Sequence, residues 1–313
     1  MRKVFIFLFF GVLITSCSQK KNSQLEWIPF AWVSDSVSGK YFEKIAIFIP
    51  VTIDELPQKF TMQFDLGAVT TVFYGKTIKP FLEKYSTLSN KLDTTKAFWI
   101  NSVKNPMFGN VNLQLGKFVF KDISVGLYSD YGDDIRLDSI NSKTEIPIGT
   151  IASDLFQNKI LIIDYKSNRL AVADTLPSEY QSASFEDCII KDGRIKIPLQ
   201  INGKTEYLLF DTGSSIFSLS TTKHNALEIG GNKITDSLTI PSWGKQIPFY
   251  GLKTIIPIKF GNKDLGSSNV YYTEEESFEY LYQSENIWGL TGNAFFLNEV
   301  VIIDYKNNRF GVK

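Results

Sequence analysis

The chain has little of the side-chain chemistry on which many enzymes draw. Among 313 residues there is one histidine, His224, and there are two cysteines, Cys17 and Cys188. A tetrahedral zinc site needs several nitrogen or sulfur ligands, so one histidine without a cysteine cluster argues against zinc, and no metal or other cofactor is expected. A serine–histidine–aspartate triad would have to use His224, which no nucleophile-elbow pattern accompanies; an exposed position on a short helix is the better reading. Only Cys188 lies in the body of the chain, so no internal disulfide is expected and stability must come from the core. Its setting, Asp187-Cys188-Ile189-Ile190, reads as a strand with a buried structural thiol. An excess of charge is absent as well: 33 basic residues balance 33 acidic ones, which removes the field a nucleic-acid partner requires. The apolar stretch from Val4 to Ile14 covers 11 residues, too few for a bilayer-spanning helix of ~20. Long helical periodicity is also missing.

What is present favours strands. There are 25 Phe and 14 Tyr, with many Ile, Val and Thr, in a chain that is 43% apolar and long enough for two domains. The N-terminus stands apart. Met1-Arg2-Lys3 is a basic start, the apolar stretch follows, and Leu13-Ile14-Thr15-Ser16-Cys17 closes it. This arrangement resembles the bacterial lipoprotein signal. The resemblance implies cleavage before Cys17, acylation of that cysteine, and a polar tether over 18–24. The protein is then expected in a bacterial cell envelope, anchored to a membrane through Cys17, with Ser18 compatible with an outer-membrane destination on its periplasmic or surface face.

The body of the chain repeats itself. Phe64-Asp65-Leu66-Gly67 returns as Phe210-Asp211-Thr212-Gly213, and Ile162-Ile163-Asp164-Tyr165-Lys166 returns as Ile302-Ile303-Asp304-Tyr305-Lys306. Each half has an entry strand with proline (Ile47 to Val51; Ile195 to Leu199), a turn, and a returning strand that ends in Asp-x-Gly. A short apolar strand and a small helix follow. In the first half the helix is expected from Pro80 to Tyr85 with proline near its start; in the second, from Thr221 to Leu227 with Ser220 as cap. Gly116 lies 51 residues after Asp65 and Gly261 lies 50 after Asp211; Asp164 and Asp304 each lie 15 residues after a glycine, Gly149 and Gly289. Five matching landmarks imply duplication of one β-rich unit, with halves over 25–174 and 179–313 and a hinge at 175–178. Asp164 and Asp304 each open a Tyr-Lys-x-Asn-Arg turn, so a hairpin role is assigned to both.

Two carboxylates on sharp turns at the ends of strands can activate water if they meet. The glycine after each aspartate is expected to permit a backbone geometry closed to other residues. Like charges close together cannot both ionise easily, so such a pair holds one proton between them. One member then accepts a proton from water while the other donates to a carbonyl oxygen.

At this point the chain resembles the pepsin and retropepsin superfamily of aspartic proteases, in the two-lobed single-chain form. The resemblance runs over nearly all of the body, and Asp211-Thr212-Gly213-Ser214-Ser215 matches the family's signature. It implies a mostly β fold of two homologous retropepsin-like barrel lobes with a cleft between them and a few short helices. It implies catalysis by Asp65 and Asp211, supported by Gly67, Thr212, Gly213 and Ser214, in a monomer acting on a peptide or protein substrate. The first half departs from the pattern. Leu66 stands where a hydroxyl normally ties the two turns together, Ala68 stands opposite Ser214, and Ala152 opposite Gly292. Trp99 and Trp243 fall at matching distances before Gly116 and Gly261, in the region where the family places its flap; both rings are expected either to close over a ligand or to pack in the core. Two other readings compete with the lipid-anchored endopeptidase: a cleft protein that binds peptides or other extended ligands without cleaving them, favoured by Leu66, and an envelope lipoprotein with a vestigial cleft.

Overall fold

The computed structural model describes residues 25–100, 102–141 and 145–313. Cys17, the tether over 18–24 and Asn101 lie outside the described residues. The fold is mostly β, with three sheets and a few short helices.

The element that organises each half follows from its glycines. Phe60–Phe64, which leads into Asp65, pairs in parallel with Ile146–Ile151; the strand after the turn, Val72–Tyr74, pairs antiparallel with the other edge of Ile146–Ile151. The second half repeats this with Lys204–Phe210, Gly289–Thr291 and Leu219–Thr221. A strand threaded between the two arms of a turn has little room. A Cβ on Gly149 would sit 2.0 Å from the carbonyl oxygen of Val72, and one on Gly289 would sit 2.2 Å from that of Ser220. Both glycines are therefore close-approach residues. The threaded strand also anchors each turn: the Asp65 amide donates to Ile151 (3.0 Å) and the Asp211 amide to Thr291 (2.9 Å).

The two halves meet through the other repeated motif. Ile160–Asp164 pairs antiparallel with Val300–Asp304, Ile162 facing Ile302 and the two ends reciprocal, Ile160 to Asp304 and Asp164 to Val300. Two further strands from each half extend this pair into one six-stranded sheet. The largest apolar cluster likewise runs across both halves, with Phe156, Tyr165, Ile303 and Phe310 among its members. The chain passes from one half to the other near 175–178, but sheet and core continue across that point.

Local details differ from expectation at two helices. The first-half helix is Gly75–Lys84, so Pro80 lies inside it. Gly75 sets the start, since a Cβ there would lie 2.1 Å from the Ser129 carbonyl oxygen. In the second half the strand is Leu219–Thr221 and the helix Lys223–Gly230. Its cap is Thr222, whose hydroxyl accepts from the Asn225 amide (3.3 Å), not Ser220. His224 is exposed on this helix. Asp164 and Asp304 serve their hairpins: Asp164 accepts from Ser167 N (3.0 Å) and Arg169 Nε (2.9 Å), and Asp304 from Asn307 N (3.1 Å) and Arg309 Nη2 (2.7 Å). Cys188 is buried, and burial followed by the Asp187 charge pushes its thiol up to about 12.

Candidate active site

The two Asp-x-Gly turns face each other, and their glycines make the approach possible. A Cβ on Gly67 would lie 2.5 Å from Asp211 Cγ; one on Gly213 would lie 2.6 Å from Asp65 Cγ. Neither glycine has a positive φ. The expectation that they serve a special backbone geometry is thus corrected: each is needed because the opposite carboxylate rests against its Cα. Asp65 Oδ1 accepts from the amides of Gly67 (3.0 Å) and Ala68 (3.1 Å), and Asp211 Oδ1 from that of Gly213 (2.8 Å). The Gly67 and Ser214 amides also support Asp211. Each carboxyl thus rests against the opposite turn, and the two act on one another. Burial holds both carboxyls above the ordinary Asp value, and the Asp211 charge pushes Asp65 up further. The pair therefore holds a proton more tightly than a free aspartate does, and that proton belongs to the pair.

Leu66 removes one hydroxyl from the junction but leaves the other. Thr212 Oγ1 donates to the Phe64 carbonyl (3.0 Å) and accepts from the Leu66 amide (2.9 Å), so a single side chain ties both backbone groups of the opposite turn. A second tie runs the other way. The Tyr165 hydroxyl, from the first half, donates to Asn293 Oδ1; the Asn293 amide then donates to the Thr212 carbonyl (2.8 Å) and Ser215 Oγ (2.7 Å). Tyr165 and Asn293 are fully buried. The first turn has its own brace: Asp154 accepts from the amide (2.9 Å) and hydroxyl (2.6 Å) of Thr71, and Ser153 bonds the Ala68 carbonyl through both its amide and its hydroxyl. Ala152 is tolerated there, whereas a Cβ on Gly292 would lie 1.8 Å from the Ser214 carbonyl oxygen.

Asp65, Asp211, Gly213 and Ser214 open into a cavity of about 310 Å³ lined by both halves. The first half lines it with Gln63, Tyr74 and Thr150 near Asp65 and with apolar residues farther out; the second half lines it with Ile216, Phe217, Phe249 and Leu290 and with several serines. The Tyr74 and Thr150 hydroxyls are 2.7 Å apart. The two tryptophans part company. Trp243 and Gly244, at φ 47° and 88°, form the two-residue turn between Asp236–Ser242 and Lys245–Lys253, and the ring lines the cavity. Trp99 also flanks a hairpin tip; it is 67% exposed, so it does not pack in the core, and it is not among the residues that line the cavity.

Sequence reasoning missed Tyr165, Asn293, Asp154 and Tyr74. Asn293 carried a readable signal, as an amide inside Gly292-Asn293-Ala294-Phe295-Phe296, where an apolar run offers it no solvent. No protein-family model matches the chain, and no curated protein matches it.

Proposed function

We propose that the protein is an aspartic-type endopeptidase of the two-lobed retropepsin-like kind, with Asp65 and Asp211 as the catalytic pair. One observation carries the reading: repeated turns bring two carboxyl groups together, each against the other turn's glycine, in a cavity that both halves line. Their unequal environments divide the work. Ionised Asp211 takes a proton from water while the water oxygen bonds to the substrate carbonyl carbon, and protonated Asp65 gives its proton to the carbonyl oxygen. On collapse a hydroxyl of the tetrahedral intermediate returns a proton to Asp65, Asp211 passes its proton to the amide nitrogen, and the C–N bond breaks. The pair ends with one shared proton, as it began. The two carboxyls supply both acid and base, so the chemistry calls for no metal or organic cofactor. The proposed setting is a bacterial envelope membrane, the outer one, with the monomer held by acylated Cys17 and peptide or protein as substrate.

Leu66 favours a second reading, a cleft protein that binds peptides without cleaving them. Incubating the protein with a diverse peptide mixture from acid to neutral pH separates the two. Hydrolysis that disappears in both Asp65→Asn and Asp211→Asn supports the peptidase; binding without hydrolysis in any form supports the second reading and refutes the first.

A further inference from the structure

The cavity around Asp65 and Asp211 is crossed by backbone from both directions. The hairpin made by Ala31–Val37 and the start of Lys40–Ile53 joins its neighbouring strand only from Phe48 onward, so its turn end projects as an arm. That arm docks on the second half. Ser38 Oγ accepts from the Thr239 amide (2.7 Å), and Lys40 pairs with Asp236, which is itself held by the Tyr271 hydroxyl (2.8 Å). Val37 and Phe42 pack against the second-half cluster that contains Phe217 and Phe249. On its inner side the arm presents Val37, Ile45 and Ala46 to the cavity. The return crossing starts from the same second-half strand, Asp236–Ser242. Its hairpin tip carries Trp243 to Tyr128 and Tyr131 of the first half, with ring centroids 5.9 and 6.1 Å apart.

Two straps, one latched and one aromatic, narrow the groove from opposite sides. At about 310 Å³ it sits at the low end of the ~300–1,000 Å³ that pockets for single small ligands occupy. An extended chain adds ~3.3 Å per residue, so a polypeptide running through the site would have to displace a strap. Beyond the Trp243–Gly244 tip lies a second pocket of about 400 Å³, which shares Tyr74 and Tyr131 with the first and carries Lys76, Asp130 and Asp133. Charged groups of both signs there suit the charged end of a short chain.

We infer that this site selects short peptides, a few residues long with an uncharged apolar residue beside Asp211, and excludes extended polypeptide. The chemistry of the inference rests on the peptidase reading; its size selection rests on the straps alone. The test uses the Asp211→Asn protein, so that binding is read without cleavage. Titration calorimetry follows a peptide series sharing one apolar central pair, from about three to about twelve residues. The shortest members are expected to bind about tenfold more tightly than the longest. Ser38→Gly, which keeps the positive φ of 50° at that turn, combined with Lys40→Ala is expected to remove most of that difference by improving the long peptides. Affinity that rises with length in the unaltered arm overturns the inference, and the unaltered series decides it even if the arm variant misfolds. If size selection is found but the wild type cleaves no peptide, the peptidase reading falls and the selection stands. If the wild type cleaves a denatured full-length protein as readily as short peptides, the selection falls and the peptidase stands.

Discussion

Two repeat-equivalent tyrosines should respond differently to loss of their hydroxyls. Tyr165 and Tyr305 occupy the same place in the duplicated Asp-Tyr-Lys motif and are 1% and 7% exposed. Tyr165 donates to Asn293 Oδ1, while Tyr305 Oη has no hydrogen-bond partner among the described residues. Tyr165→Phe keeps the ring in the core but leaves the buried Asn293 oxygen without its donor, which costs about 1–3 kcal/mol. At roughly 2–4 °C per kcal/mol for a protein of a few hundred residues, the melting temperature is expected to fall by several degrees. Tyr305→Phe removes a buried hydroxyl with no protein partner among the described residues, so stability is expected to stay level or rise. Urea unfolding of both variants beside the wild type measures this, with equal slopes required before the midpoints are compared. Because Asn293 also holds the Thr212 carbonyl, Tyr165→Phe should in addition lower kcat and move the pH profile of peptide hydrolysis, which Tyr305→Phe should not. Equal losses of stability in the two variants would refute the reasoning: the tie from Tyr165 to the Asp211 turn would then be no more than one of a symmetric pair.

Three further outcomes are expected. Burial holds both Asp65 and Asp211 above the unfolded Asp value, 3.8, so the folded protein keeps protons that the unfolded chain releases. The stability contributed by the pair is complete below that pH and is lost as pH rises through the folded values. Asp65→Asn should therefore gain stability relative to the wild type as pH is raised from about 4 to about 8; a difference that does not change with pH contradicts this. Gly67→Ala, with its Cβ against Asp211, should cost about 1–3 kcal/mol by overpacking and abolish hydrolysis, and a fully active Gly67→Ala would mean the two turns do not meet as described. Trp243→Ala should weaken peptide binding whereas exposed Trp99→Ala should change stability by less than about 0.5 kcal/mol and leave binding intact; the opposite ranking, read by calorimetry, would place the ligand elsewhere.

How much of this was legible in the sequence depends on range. The repeat is legible because its landmarks are backbone necessities. Gly149 and Gly289 cannot carry a side chain beside Val72 and Ser220, so their spacing to Asp164 and Asp304 is kept in both copies. The facing of Asp65 and Asp211 follows from that symmetry, since Ile160–Asp164 and Val300–Asp304 pair with each other across it. Destinations of hairpin tips are another matter. Trp99 and Trp243 look equivalent along the chain, yet only the second tip meets Tyr128 and Tyr131. The arm over 31–46 lies outside the repeated landmarks, and nothing in its sequence names Asp236 or Thr239 as the groups it reaches. Pro80 misled for a local reason: proline is favoured at a helix start, but Gly75 and its contact with Ser129 had already fixed the start elsewhere.

Leu66 is the hardest residue to place, and the structure gives it a positive role. It is fully buried in the core that spans both halves, and burying a leucine contributes about 1.5–3 kcal/mol. Its amide still donates to Thr212 Oγ1, and the Tyr165–Asn293 chain holds the carbonyl of Thr212 from the first-half side. Where the second half contributes the Thr212 hydroxyl, the first half offers apolar packing at Leu66 and a longer-range bond from Tyr165 to the same turn. Leu66→Thr tests whether these suffice. If they do, threonine removes apolar contact and brings a hydroxyl into a dry site, so stability should fall by about 1–3 kcal/mol with no gain in peptide hydrolysis. If Leu66→Thr proves both more stable and faster, leucine has only weakened the junction, and the peptide-binding reading without catalysis becomes the better account of the native chain.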